Sequence, residues 1–117
     1  IQTGTTVGGA DDEFVKLYNQ TNSDIDMAGW KLQQKASSGT LNNLVSSQSF
    51  SGKIVAHGYF LIVSRGYKGA EAGNLSYSTS NGLAYKNNSA VLYAADGSAM
   101  DEVSWVEIPK DIVWTRP

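Results

Sequence analysis

The chain of 117 residues has no cysteine and a single histidine, His57. Without thiols there are no disulfides, no zinc–thiolate centres and no cysteine nucleophile. The same absence leaves the compartment open. A hydrolytic triad needs an imidazole oriented by a carboxylate and facing an activated serine. His57 lies in Val-Ala-His-Gly-Tyr, a turn-like stretch ahead of an apolar run, and no Gly-x-Ser-x-Gly elbow occurs. The carboxylate pairs Asp24/Asp26 and Asp101/Glu102 read equally well as solvated strand edges. The chain is therefore read as a non-enzyme. No stretch approaches the ~20 apolar residues of a membrane helix, and there is neither a heptad pattern nor an internal repeat. Positive charge is in short supply too, with nine Lys and Arg against eleven Asp and Glu and a net charge of −2. Nucleic-acid binders concentrate basic residues on one face, so this scatter argues against that class. A contiguous Asp-x-Asp-x-Asp-Gly calcium loop is also missing. Asp11, Asp12, Asp24 and Asp26 would gather only if the leading segment folded back on the first connector, so no metal or cofactor is assigned.

What remains is short apolar strands separated by Gly, Asn and Ser at intervals of roughly ten residues, the spacing of a β-sandwich. A chain of this length makes one domain and buries roughly two thirds of its unfolded surface. The run from Glu13 to Leu32 is the most informative. Val15 and Leu17 share one strand face, with Phe14, Lys16 and Tyr18 on the other. Asn19, Thr21, Asn22, Ser23 and Asp24 supply turn-forming side chains. Ile25 and Met27 resume the period of two, and Gly29 relieves the backbone before Trp30 and Leu32. Strands are expected near Glu13–Tyr18, Trp30–Gln34, Tyr59–Val63, Ala90–Ala94 and Met100–Trp105. The expected core is Val15, Leu17, Trp30, Leu32, Phe60, Ile62, Leu92 and Val103. Asp96-Gly97 reads as a two-residue type I′ turn, which needs positive φ at both positions. Residues Ser64 to Asn88, rich in Gly, Ser, Asn and Tyr, read as a loop excursion with one short strand.

The sequence Phe14-Val-Lys-Leu-Tyr-Asn19, then Asn22-Ser-Asp24, then Met27-Ala-Gly-Trp-Lys-Leu32, resembles the opening of the lamin tail domain. Ser51-Gly-Lys-Ile-Val-Ala-His-Gly-Tyr-Phe-Leu-Ile-Val63 is similar to that family's glycine-marked turn into a central strand. Ala90-Val-Leu-Tyr-Ala-Ala-Asp-Gly-Ser-Ala-Met-Asp-Glu-Val-Ser-Trp105 is similar to its final hairpin. The three blocks span residues 11 to 106 in the family's order. The resemblance implies an all-β fold, an immunoglobulin-like antiparallel β-sandwich, used as an appended module. It also implies a secreted or cell-surface location.

Residues 1–10, rich in Gly and Thr, read as a linker into a domain of residues 11–117. With no initiator Met or secretory signal, the chain is expected to be a processed piece of something larger. Tyr67, Tyr77 and Tyr85 sit in polar surroundings beside Arg65 and Lys86. These five residues are the candidate contacts, since a tyrosine platform beside such side chains suits a peptide or a sugar ring. The other reading of the tyrosines is as loop anchors packing over the sandwich. The expected function is a non-catalytic interaction or anchoring module, with a protein or cell-envelope component as partner. The alternative is a glycan-binding module using the tyrosine-rich excursion. A nucleic-acid adaptor stands behind both.

Overall fold

The computed structural model describes residues 1–116 and shows nine short strands in chain order. They are β1 Phe14–Tyr18, β2 Ile25–Asp26, β3 Lys31–Ala36, β4 Leu41–Val45, β5 Lys53–Ile54, β6 Tyr59–Val63, β7 Leu75–Ser76, β8 Lys86–Tyr93 and β9 Ala99–Glu107. The only helical element among the described residues is a 3-10 turn at Ala10–Asp12. One sheet has the order β1-β6-β7 and the other β4-β3-β8-β9, with β2 and β5 forming a separate two-stranded pair. All pairings are antiparallel except β6 with β7. The two sheets enclose one core, to which Val15, Phe60 and Ile62 contribute from the first sheet. Leu32, Leu44, Val45, Ala90 and Trp105 contribute from the second. This is the β-sandwich expected from the strand spacing, of the immunoglobulin-like kind that the resemblance implied.

Two expectations about individual residues change. Trp30, like Leu17, Leu92 and Val103, packs against the core but is only partly buried, and Trp105 is the enclosed tryptophan, 5 % exposed. The indole N–H of Trp105 donates to the Ala84 carbonyl at 3.0 Å, so burial leaves no polar atom stranded. The Asp96-Gly97 turn is not type I′, because only Gly97 has positive φ, at 88°. Gly97 N–H donates to Ala94 O and Ala94 N–H to Ser98 O, both at 2.9 Å. That pattern is a three-residue loop with a glycine bulge. The Asp96 carboxylate accepts from the Ser98 N–H and hydroxyl, which holds its pKa below the usual carboxylate range. The β3–β4 hairpin repeats the design with Gly39 at φ 92°.

The sandwich is closed along one side and open along the other. On the closed side Ser78 N–H donates to Leu44 O at 2.9 Å, and Thr79 Oγ1 donates to Asn43 O at 2.6 Å, pinning the chain after β7 to the edge of β4. The opposite side lies between β1 and β9. Here residues 1–4, expected to stand off as linker, lie against the domain. Gln2 exchanges backbone hydrogen bonds with Phe14, and Ile1 with Trp114. Thr3 Oγ1 donates to Ile108 O at 3.2 Å. Ile1 and Ile108 are both buried in the core, which supplies the physical reason for this docking.

Candidate interaction surface

The five residues singled out in the sequence do not form one surface. Tyr77 is 4 % exposed, and its hydroxyl donates to Glu13 Oε1 at 2.8 Å. It is a core residue unavailable to any ligand, which corrects its reading as a contact. The same Glu13 oxygen accepts the Leu83 N–H at 2.7 Å. Burial pushes the Glu13 pKa up to about 7, against the downward pull of those two hydrogen bonds. Burial and the neighbouring Glu13 likewise push the Tyr77 phenol well up.

Tyr67 is half-buried and meets Phe14 edge-on, with ring centroids 6.3 Å apart. With Ala70 and Glu71 it flanks the outer face of the first sheet around Leu61, which is buried although it points away from the core. Loop anchoring, one of the two readings open in the sequence, describes both Tyr67 and Tyr77. Arg65 is exposed and donates to the Ser78 carbonyl at 2.8 Å. Tyr85 is exposed with the Lys86 ammonium 5.7 Å from its ring, at the start of β8 in the other sheet.

The side chains that do converge on the surface are Tyr18, Tyr59 and Lys16. Tyr18 on β1 and Tyr59 on β6 are directly opposite in register. They are 53 % and 63 % exposed, with centroids 4.9 Å apart and planes tilted 38°. Lys16 Nζ lies 5.0 Å from the Tyr59 centroid and 3.4 Å from a Glu71 carboxylate oxygen. Cross-strand aromatic pairs stabilise a sheet by roughly 0.2–1 kcal/mol, so this pair also helps fix the β1–β6 register. The sequence signal was the outward parity of Tyr18. Its meeting with Tyr59, 41 positions on, depends on a pairing that no local pattern specifies.

Beside this pair a groove of about 710 Å³ opens between β1 and β9. Its apolar lining includes Leu17, Ile25, Trp30, Leu92 and Val103, and its rims carry Tyr18, Tyr59, Met100 and Arg116. Arg116 is paired with Asp101 across one rim. The acidic residues considered for calcium are dispersed. Asp12 accepts from Thr5, Asp24 from the Ala56 N–H, and Asp26 from the Ala28 N–H. Among the described residues no three acidic or histidine side chains gather into a metal-holding group. His57 occupies the third position of the Val55–Gly58 turn at φ 55°, with its ring nitrogen 2.6 Å from Asn22 Oδ1.

The Lamin Tail Domain family model matches residues 2–107. The chain belongs to the lamin tail domain family. The match runs from the docked N-terminal segment to the last residue of β9, so it covers all nine strands. A search of the curated proteins finds no match. For this lamin tail domain the family supports an immunoglobulin-like interaction module. No helix among the described residues is long and apolar enough to cross a membrane.

Proposed function

We propose that this lamin tail domain is a non-catalytic interaction module of a larger secreted or cell-surface protein, tethering it to a protein or envelope component. The observation that carries the reading is the Tyr18–Tyr59 pair, exposed at the mouth of an apolar groove on the open side of the sandwich. Exposed aromatics beside desolvated apolar surface are the residues that dominate binding energy at protein interfaces. The glycan alternative has less support than the sequence offered. Its tyrosine platform lacks Tyr77, which is buried, and the tilt between Tyr18 and Tyr59 presents no flat floor for a sugar ring. Nucleic-acid binding is disfavoured because Lys16, Lys35, Lys53 and Arg116 each face a carboxylate.

The test is capture by the immobilised domain from envelope and secreted fractions, run beside a glycan array. Replacing Tyr18 and Tyr59 together by Ala should abolish a saturable protein signal while shifting the melting temperature by only a few degrees. A specific sugar signal lost with Tyr85→Ala, and no protein signal, would reverse the order of the two readings.

A further inference from the structure

The carboxyl of Glu13 lies beneath an irregular stretch of the excursion. Glu13 is 2 % exposed, and both of its donors, the Tyr77 hydroxyl and the Leu83 N–H, reach the same oxygen, Oε1. Oε2 has no hydrogen-bond partner among the described residues and faces Gly82, where an added Cβ would stand 3.1 Å from it. No fully buried side-chain oxygen lacks a partner, so part of the slight exposure that Glu13 keeps falls at Oε2. Among the described residues no Lys, Arg or His bonds or pairs with this carboxyl. Its acidic neighbours in the chain turn elsewhere, Asp12 to Thr5 and Asp11 beside Gly66. Tyr77 is the titratable side chain that faces it, and burial keeps that phenol neutral. A charge on Glu13 gains strength in two hydrogen bonds and loses most of its water. Its pKa of about 7 shows that the loss is the larger effect.

The stretch over Glu13 is anchored at both ends and lightly tied between them. At one end Ser78 N–H donates to Leu44 O, the Ser78 hydroxyl accepts from the Ser46 N–H, and the Ser78 carbonyl accepts from Arg65. At the other end Ala84 N–H donates to Asn88 Oδ1 at 2.9 Å, and the Ala84 carbonyl accepts from Trp105. Between these anchors residues 79–83 belong to no strand. The Thr79 hydroxyl and the Asn81 amide both donate to the Asn43 carbonyl, and Leu83 supplies its N–H to Glu13 and its side chain to the core. Ser80, Asn81 and Gly82 are exposed. Lifting Gly82 admits water to Oε2, and Leu83 is the only core side chain in the stretch that has to leave.

We propose that residues 79–83 are a proton-controlled flap, which lifts from the sandwich when Glu13 releases its proton and settles back when the proton returns. The ionised carboxyl is better hydrated with the flap raised, and the neutral one permits Leu83 to stay buried above it. The raised form holds the proton less tightly than the closed one, so its population grows as pH rises. Lifting also takes Thr79 and Asn81 off the Asn43 carbonyl and bares that part of the β4 edge.

Residue-resolved hydrogen exchange on the isotope-labelled chain and on Glu13→Gln tests the flap from pH 4.5 to 8. Glutamine keeps an acceptor for Tyr77 and Leu83 but cannot ionise, and the ratio of the two proteins' rates removes the intrinsic pH dependence of exchange. Protection of the Leu83 amide in the parent, relative to the variant, should fall by up to about tenfold per pH unit above 4.5. The fall should reach roughly a hundredfold by pH 7 and level off above it. Low concentrations of urea separate the flap from unfolding. Exchange at Leu83 should be nearly insensitive to urea, whereas Ile62, opposite Val15 in β6, should respond with the slope of global unfolding. The parent gives a reading of its own if the variant does not fold. Its Glu13 carboxyl carbon should titrate near pH 7, and the fall in Leu83 protection should level off at the same pH.

A Leu83 protection ratio that stays constant with pH would overturn the proposal, since Glu13 would then ionise beneath a closed flap. A urea slope at Leu83 equal to that at Ile62 would overturn it as well, because only unfolding of the whole domain would then free Leu83. So would a Glu13 carboxyl that titrates near pH 4.5, the value of a hydrated side chain.

Discussion

Glu13 offers the sharpest test of the fold's energetics, because its carboxyl is buried at the junction of both sheets and the excursion. It is 2 % exposed and has two donors, the Tyr77 hydroxyl and the Leu83 N–H. Its pKa rises from 4.5 to about 7 in the folded protein, chiefly through burial. The folded state thus holds this proton more tightly than the unfolded chain. Stability is then greatest below pH 4.5, falls as pH rises towards 7, and is flat above. Across that window the unfolded chain has released one proton that the native state retains, a slope of about −1.4 kcal/mol per pH unit. Over a shift from 4.5 to about 7 the accumulated loss is about 3 kcal/mol. Glu13→Gln keeps an acceptor for Tyr77 and Leu83 but cannot ionise. Urea unfolding of both proteins from pH 4 to 8 isolates the effect, since titrations of other groups cancel in the difference. The parent should lose about 3 kcal/mol relative to Glu13→Gln between pH 4.5 and 7. A difference that stays constant to within about 0.5 kcal/mol would show a well-solvated carboxyl and refute the reasoning.

Asn19 is the second test. It is buried, with its amide nitrogen donating to the Ser23, Ile54 and Val55 carbonyls and its oxygen accepting from Thr21. Asn19→Leu should cost about 2–3 kcal/mol in urea titrations by stranding those carbonyls, and a loss below about 0.5 kcal/mol would count against the hub. Trp105→Ala should cost roughly 3–5 kcal/mol, and the half-buried Trp30→Ala about half as much; thermal melts showing the reverse order would restore Trp30 as the core tryptophan. Gly97→Ala puts a Cβ at φ 88° and should cost about 1–2 kcal/mol although nothing crowds the site. Unchanged stability in that variant would mean the loop adopts a different turn.

The strands whose periodicity is local were legible in the sequence. Val15 and Leu17 against Lys16, and the apolar run ending at Val63, mark β1 and β6 because alternation over five residues needs no knowledge of the partner strand. The glycine-marked turns followed from backbone sterics at Gly29 and Gly97, although the class of the second did not. It depends on whether Asp96 also turns left-handed, and hydrogen bonds from Ser98 to the Asp96 carboxylate accompany the right-handed alternative. Family membership followed from three ordered blocks for the same reason, since each is a turn plus a strand.

The candidate site was not legible. Tyr67, Tyr77 and Tyr85 look alike along the chain, each amid polar neighbours, yet one covers an outer face, one bonds a buried glutamate 64 positions away and one stands in solvent. The fates of Tyr67 and Tyr77 were set by Phe14 and Glu13, which the pairing of β1 with β6 positions beside them. The same pairing joins Tyr18 to Tyr59. Docking of Ile1 beside Trp114 makes a leading segment with linker-like composition part of the core, because burial of Ile1 acts together with backbone hydrogen bonds to Phe14 and Trp114. Sequence alone determined the strands, their turns and the family. The tertiary structure decided which tyrosines stand exposed and which carboxyl is buried with a raised pKa, because both depend on contacts between residues far apart in the chain.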